Sequence, residues 1–367
     1  MTIDIDKWPA LIPLAVVNGL GPMLHWSLKH AEFDISEDSL WVPLISAAQE
    51  AEINYALLNQ TQAQIDRVLN EAGIPATWLK GIALAHTVYL RPWLRPMVDL
   101  DVLVPYESRQ TALSVVEAQG FRYKRDPGIL SVDVPEDVLH HYYLMGSVAD
   151  AVCLELHFRL LGHDGLELLP REQLNWFWES TTTCEVNGNE ITILQPEAHL
   201  LYLCAHALLQ HGEANLKLLQ LFDIHLLITE KKLDWHVISD KAIELKWAYA
   251  VERALTITQK YFNTPIPSVV INELQYRRSP NEEISRVTNF EGQGFRSEAA
   301  ILLLKQLPPA QRPRAMISIL FPPPTYIRHR YAVQSGQAVL PYYFYRWIDE
   351  IKQVSWSVRR RLAKRDK

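Results

Sequence analysis

Two aspartates lie one residue apart in residues 97–104, an otherwise apolar run that predicts a buried strand. Because successive side chains of a strand point to opposite faces, Asp99 and Asp101 should share one face, opposite Leu100. Two like charges this close repel each other, and a hard divalent cation such as Mg²⁺ takes oxygen ligands of this kind. The pair therefore indicates either a metal site or two aspartates that are solvated on an exposed strand face.

Two further features favour a site that handles phosphate. Lys80 and Gly81 follow a short apolar run and precede a predicted helix, where free backbone N–H groups and the helix dipole can receive phosphate oxygens. Glu155 lies in another alternating run, so a neighbouring strand could bring it beside the aspartates. Three carboxylates could hold two metal ions, which would bind phosphate oxygens and lower the pKa of an attacking hydroxyl.

Three motifs together resemble the uncharacterised nucleotidyltransferase family of bacterial proteins, which belongs to the DNA polymerase β-type superfamily. They are L-K-G-x-A-L at 79–84, R-x-x-x-D-x-D-x-L-V at 95–104 and E-L-H-F-R-L at 155–160. Similarity continues through 201–206 and 221–224, so it covers roughly residues 45–265.

The resemblance implies a chemistry and assigns residues to it. Asp99, Asp101 and Glu155 would be the catalytic acids and the ligands of two Mg²⁺ ions, and Gly81 would belong to the turn that binds the triphosphate. The enzyme would move a nucleoside monophosphate from an NTP, with ATP the expected nucleotide, to a hydroxyl of a small molecule or protein, and pyrophosphate would leave.

The sequence departs from the superfamily pattern directly after Gly81. Many members carry Gly-Ser or Gly-Gly there, whereas Ile82 follows here, so a serine contact to phosphate is missing. Lys80 or Arg95 would supply the charge instead, since a guanidinium binds phosphate bidentately. The departure supports an alternative, a weak or inactive nucleotidyltransferase-fold protein that binds a nucleotide or a partner. The three acids oppose it, because a scaffold has no evident use for buried negative charge.

The surrounding pattern predicts an α+β fold, a mixed nucleotidyltransferase-type sheet with flanking helices, followed by a mainly helical part. Helices are predicted at 43–73, 82–90, 106–120, 197–210, 216–229, 235–245 and 248–261. Strands are predicted at 76–79, 98–104, 121–123 and 151–160, and a loop at 275–297. We expect four segments: an N-terminal extension at 1–42, the nucleotidyltransferase domain at 43–195, a helical domain at 196–310 and a C-terminal extension at 311–367.

Histidine-rich chemistry is a competing interpretation. The chain has 13 histidines, and a metal-dependent phosphohydrolase could draw ligands from a scattered set: His157, His163, Asp164, His199, His206 and Asp223. That fold needs ligands that converge from several helices, whereas His157 lies in strand-like sequence. His199 and His206 are therefore interpreted as buried or capping residues, and His157 either orients a ligand or acceptor or is a satisfied core histidine.

Composition limits the surroundings in which the protein works. A chain of 367 residues with 48% hydrophobic residues predicts a globular protein, and its net charge of −6 makes nucleic acid a less expected acceptor. The acidic N-terminus lacks the pattern of a secretory signal, no apolar run predicts a membrane span, and three unpaired cysteines suit a reducing compartment. We expect a cytoplasmic protein.

The C-terminus is the one basic region. An apolar stripe between Phe344 and Leu362 predicts an amphipathic helix, and arginines and lysines concentrate at 359–367. This helix could bind an anionic partner, or it could dock on the protein with its cations toward solvent and its own dipole.

Overall fold

The computed structural model describes residues 7–33, 35, 39–123, 140–146, 152–163, 166–167, 171–186 and 188–278, together with parts of the segment 304–348. Within these ranges, three helices precede a mixed sheet, and a run of helices follows the sheet. The α+β class expected from the sequence is therefore confirmed.

Three N-terminal helices precede the first strand: α1 (Trp8–Val17), α2 (Gly21–His30) and α3 (Val42–Glu71). Each has a proline in its first two positions. A backbone N–H there would have no partner within the helix, so its absence costs no helical hydrogen bond. Trp8, Trp41 and Leu44 form a small apolar core among them. The helix predicted at 43–73 is confirmed, whereas residues 1–42, for which no element was predicted, contain two helices.

A seven-stranded mixed sheet forms the centre of the fold, in the strand order β3-β4-β5-β2-β1-β9-β8. Its strands are β1 (Thr77–Trp78), β2 (Asp99–Leu103), β3 (Phe121–Tyr123), β4 (His141–Gly146), β5 (Cys153–His157), β8 (Thr181–Val186) and β9 (Asn189–Leu194). A separate two-stranded sheet contains β6 (Gly162–His163) and β7 (Leu166–Glu167). The four predicted strands are confirmed, and β4 and the hairpin of β8 and β9 were not predicted.

Strands β2 and β5 lie side by side and parallel in the middle of this sheet. Their apolar residues, among them Leu100, Val102 and Leu154, are buried in one core. This core includes residues of α3 and of α5 (Arg109–Glu117), a helix that follows a short 3₁₀ turn. Burial of one face fixes the register, because a slip of one residue would move every buried side chain to the other face. The acids of both strands are thereby held on the opposite face.

Short helices connect the strands. Helix α4 (Lys80–Thr87) follows β1 after a single residue, and α6 (Arg171–Glu179) precedes the hairpin of β8 and β9. The predicted helix at 82–90 is therefore confirmed, although it begins two residues earlier, at Lys80.

The helices beyond residue 195 pack around a second core. They are α7 (Pro196–Ala205), α8 (Leu218–Glu230), α9 (Trp235–Glu244), α10 (Ala248–Phe262) and α11 (Ser268–Arg277). Residues 198–205 of α7 are all buried, as expected for a helix that is surrounded by others. The four predicted helices are confirmed, but the first changes at Ala205 into a π-helical turn, His206–His211.

The C-terminal part of the chain differs from one expectation, and another expectation falls on residues outside the described ranges. The loop predicted at 275–297 is wrong at its start, because α11 continues to Arg277, where Val270 and Leu274 are buried in the second core. The rest of that loop and residues 359–367 of the predicted basic helix lie outside the described residues. Beyond α11 the structure shows α12 (Arg312–Leu320). The four proposed segment boundaries stay a prediction.

Candidate functional site

The register of β2 and β5 brings two of the predicted acids together. Asp101 lies directly beside Glu155, and Asp99 lies beside Cys153. Side chains at equivalent positions of neighbouring strands share a face, so all three carboxylates belong to one side of the sheet. The predicted proximity of the three acids therefore rests on the pairing of these two strands.

His157 joins two of these acids. Its Nε2 lies 3.0 Å from Asp101 Oδ1 and 3.1 Å from Glu155 Oε2. Both partners are acceptors, so this nitrogen carries the proton that they share. Burial alone would lower the pKa of His157, but the two hydrogen bonds raise it overall. His157 thus holds the two carboxylates in place and compensates part of their charge.

Asp101, Glu155 and His157 also have the geometry of a metal-binding group. One potential ligand atom from each lies within 4.8 Å of the other two, and this is the single such group in the part of the chain that the structure describes. Carboxylate oxygen and imidazole nitrogen are ligands for divalent cations. The carboxylate oxygens fit a divalent ion, and His157 could join them as a ligand only after its Nε2 gives up the proton that it donates to both acids.

Lys80 extends toward the same acids. Its ammonium donates a hydrogen bond to Asp101 Oδ1 over 2.7 Å and lies 3.9 Å from Glu155 Oε2. Burial alone would lower the pKa of Lys80, but the negative charge of Asp101 and the neighbouring acids raises it well above its ordinary value. The ammonium is therefore a permanent cation of the site.

Asp99 differs from the other two acids. It is half-buried, forms no ion pair with any residue that the structure describes, and lies outside the metal-binding group. Burial, followed by the charge of Asp101, raises the pKa of Asp99 to about 6. The pKa of Glu155 shifts the other way: burial would raise it, but the hydrogen bond from His157 and the charge of Lys80 lower it below its ordinary value. The charges of Lys80 and Arg95 thus offset only part of the rise in the pKa of Asp99.

Arg95 has a partner of its own in the helical part. Its Nε and Nη2 donate to the two carboxylate oxygens of Asp223 in α8, over 3.0 and 2.8 Å, and the Tyr89 hydroxyl donates to the same carboxylate over 2.7 Å. Sequence reasoning considered Asp223 as a ligand of a phosphohydrolase metal and missed this pair. The role of Arg95 in binding a triphosphate stays a prediction.

Gly81 packs closely against two long side chains. A Cβ atom at this position would lie 2.8 Å from Arg95 Nη1 and 2.9 Å from Met97 Sδ, closer than real Cβ atoms come. The unusual backbone belongs to Lys80, whose φ of +41° lies in the left-handed region. No side chain caps the first turn of α4, which leaves its backbone N–H groups for other acceptors.

Sequence reasoning missed residues of the helical part that approach the acids. The Tyr202 hydroxyl is buried near Lys80. Its pKa is raised, mainly by burial and also by the negative charges of Asp101 and Glu155. The π-helical turn places His206 Nε2 3.3 Å from His211 Nε2. A spacing of five residues brings side chains together only in a π-helical turn, so an α-helical pattern gave no signal for this pair.

The phosphohydrolase interpretation is not supported by the described residues. Asp223 is bound by Arg95 and Tyr89, and His157 belongs to the acidic group with Asp101. His199 is buried in α7, as expected for a structural histidine, and burial lowers its pKa to about 3.

The strands, the acids and the sequence together define the class of protein. The model of the uncharacterised nucleotidyltransferase family matches residues 5–263, which is more than half of the chain. The chain therefore belongs to the uncharacterised nucleotidyltransferase family, and the enzyme class expected from its motifs is confirmed. Among curated proteins, no sequence matches the chain.

Two solved structures are similar to parts of the chain. The antibiotic-resistance factor ANT(2'')-Ia is 14% identical with a TM-score of 0.36, and the match covers 57% of this chain and 98% of that one. An antigenic nucleotidyltransferase-like protein from Paracoccidioides brasiliensis is 14% identical with a TM-score of 0.35, covering 62% and 94% respectively. Because these TM-scores are low, the family assignment comes from the sequence match.

No helix among the described residues is both long enough and apolar enough to cross a membrane.

Proposed function

We propose that the protein is a cytoplasmic, Mg²⁺-dependent nucleotidyltransferase. It moves a nucleoside monophosphate from an NTP, with ATP the expected nucleotide, to a hydroxyl of a small molecule or protein. The observation that carries this proposal is the placement of Asp99, Asp101 and Glu155 on one face of two parallel strands, with His157 joining the last two. Membership of the family supports the transfer of a nucleotide, and the acids support the need for a divalent ion.

The reaction is a displacement at the α-phosphorus. The acceptor oxygen forms a bond to phosphorus while the bond from phosphorus to the α–β bridging oxygen breaks, and pyrophosphate leaves with that oxygen and the bonding electrons. The acceptor hydroxyl gives its proton to a base among the acids or to solvent. Positioning and electrostatic stabilisation carry most of the acceleration in such reactions.

The acids of this site would hold the ion that the reaction requires. Asp99, Asp101 and Glu155 supply carboxylate oxygens from one face of the sheet, and His157 keeps the last two oriented. Mg²⁺ bound there would neutralise phosphate charge and polarise the α-phosphorus.

Two features near the acids suit the triphosphate. The first turn of α4 presents backbone N–H groups and the positive end of a helix dipole. Lys80 begins this helix and extends its ammonium to the acids, so positive charge lies between the helix and the metal-binding group. This arrangement takes the place of the serine contact that is missing after Gly81.

Isothermal titration with each of the four NTPs in the presence of Mg²⁺ tests the proposal. The intact protein should bind one nucleotide preferentially, and a double variant, Asp99→Ala with Asp101→Ala, should lose this binding while it stays folded by circular dichroism. Glu71→Gln is the matched control, because the Glu71 side chain is 69% exposed on α3. It should bind as the intact protein does.

Absence of Mg²⁺-dependent binding at millimolar nucleotide would contradict the proposal. The partner-binding alternative would then explain the family fold better. Binding that survives in the double variant would equally contradict the assignment of the acids.

A further inference from the structure

The charges around β2 and β5 are compensated unevenly. Asp101 accepts hydrogen bonds from both Lys80 and His157, and Glu155 lies within 4.0 Å of the same two cationic groups. Asp99 has no such partner among the residues that the structure describes. Asp101 and Glu155 are therefore in direct contact with positive charge, whereas Lys80 and Arg95 act on Asp99 only from beyond ion-pair distance.

Lys80 is held in this position by the chain around it. It starts α4 directly after β1, its side chain is only 14% exposed, and its backbone is left-handed. This backbone is strained for a residue other than glycine, and such strain persists where the surroundings enforce it. The hydrogen bond to Asp101 and the burial of the side chain hold the ammonium between Asp101 and Glu155.

This place is one that a metal ion would need. An ion shared by Asp101 and Glu155 must approach their facing oxygens, Oδ1 and Oε2, to about 2.1 Å if it is Mg²⁺. The Lys80 ammonium lies 2.7 Å from the first oxygen, and the His157 nitrogen lies about equally far from both. These two donors already fill the gap between the carboxylates.

We propose that Lys80 takes the place of one of the two metal ions, so that the chain binds a single divalent ion, at Asp99 and Asp101. The carboxylates of Asp99 and Asp101 lie on one face of β2 and would coordinate that ion. The Lys80 ammonium is the second cation, fixed to the protein, and it positions Asp101 and Glu155. This inference rests on the proposed function, and it replaces the two ions expected from the sequence with one ion and one lysine.

Counting bound Mn²⁺ by equilibrium dialysis tests this inference. The protein is dialysed with a non-hydrolysable NTP on both sides of the membrane, and the excess Mn²⁺ in the protein compartment gives ions per chain. The intact protein should hold one ion. Lys80→Met should hold two, because the fixed cation is gone and His157, once Nε2 loses its proton, joins Asp101 and Glu155 as a ligand. Lys80→Arg, which keeps the charge, should hold one.

Asp99→Asn keeps the test decisive if Lys80→Met does not fold. With Lys80 in place, this variant should hold no excess ion, whereas a two-metal site would keep one between Asp101 and Glu155. Two ions in the intact protein, or a single ion in a folded Lys80→Met variant, would overturn the inference and leave the proposed function intact. No excess ion in any variant would contradict the proposed function itself.

Discussion

The acidic site and the Arg95–Asp223 pair are both buried clusters of charge, but their charges balance differently. Around Asp223, one carboxylate meets one guanidinium through two hydrogen bonds, and the Tyr89 hydroxyl donates a third. In the acidic site, three carboxylates face Lys80 and His157, and Asp99 forms no ion pair with any residue that the structure describes.

This difference separates a structural contact from a reactive one. A buried carboxylate stabilises the fold only while its partners are present. Without them, nothing offsets the cost of removing its charge from water. An excess of buried negative charge costs stability, and it persists where a ligand supplies the missing positive charge. We therefore expect substitutions at Asp223 to change stability and substitutions at the acidic site to change activity.

Asp101→Asn should have the largest effect. The substitution removes the charge that Lys80, His157 and the divalent ion share, so transfer of labelled nucleotide should fall by about 1,000-fold, equivalent to about 4 kcal/mol of transition-state stabilisation. Initial rates at saturating nucleotide measure the loss. Activity within tenfold of the intact protein would show that Asp101 does not belong to the catalytic machinery.

Asp223→Ala should reduce stability more than activity. The variant leaves the Arg95 guanidinium, whose side chain is 12% exposed, without its carboxylate, and the free energy of unfolding should fall by about 3–4 kcal/mol. Urea unfolding followed by tryptophan fluorescence measures this change. A loss below about 1 kcal/mol, the level of an exposed pair, would mean that the contact does not hold the helical part to the sheet.

Tyr89→Phe makes a smaller change to the same cluster. It removes one hydrogen bond to the Asp223 carboxylate and keeps the aromatic ring. The free energy of unfolding should therefore fall by about 1.5–2 kcal/mol, as for other hydrogen bonds to charged groups. The same urea titration detects this effect. In the Asp223→Ala background the added loss should be clearly smaller, because the acceptor is already gone.

Asp99→Asn should shift stability in the opposite direction. The pKa of Asp99 is raised by burial and by the charge of Asp101, so the ionised carboxylate is less favourable in the folded protein than in the unfolded chain. In metal-free buffer at pH 8, the variant should be more stable by about 1 kcal/mol, less than the ~3 kcal/mol that the full pKa shift would give, because solvent screens the half-buried carboxylate. Thermal unfolding with a chelator present tests this gain, and a clear loss of stability would show that Asp99 has a stabilising partner.

Much of the fold could be predicted from the sequence. Helical spacing found α3, α8, α9 and α10, and strict alternation found β2 and β5. Local patterns failed where long-range contacts decide: β4 is recognisable only beside β5, and the hairpin of β8 and β9 was not predicted. The two N-terminal helices were also missed, because their apolar residues pack against Trp41 and Leu44, which come later in the chain.

The acids of the site could be predicted, but their charge balance could not. Alternation placed Asp99 and Asp101 on one face, and the motif resemblance linked Glu155 to them. The partners of Lys80 and Arg95 depend on the packing of α4 and α8, which is set by residues far apart in the chain. No spacing in the sequence indicates that Asp223, 128 positions beyond Arg95, would bind it.

Anomalous scattering from Mn²⁺ in crystals grown with a non-hydrolysable NTP tests most directly whether the acidic excess marks the active site. We predict a manganese peak coordinated by Asp99 and Asp101, with phosphate oxygens of the nucleotide on the same ion. An ordered nucleotide whose manganese lies away from both carboxylates, or a nucleotide bound elsewhere on the chain, would contradict this account.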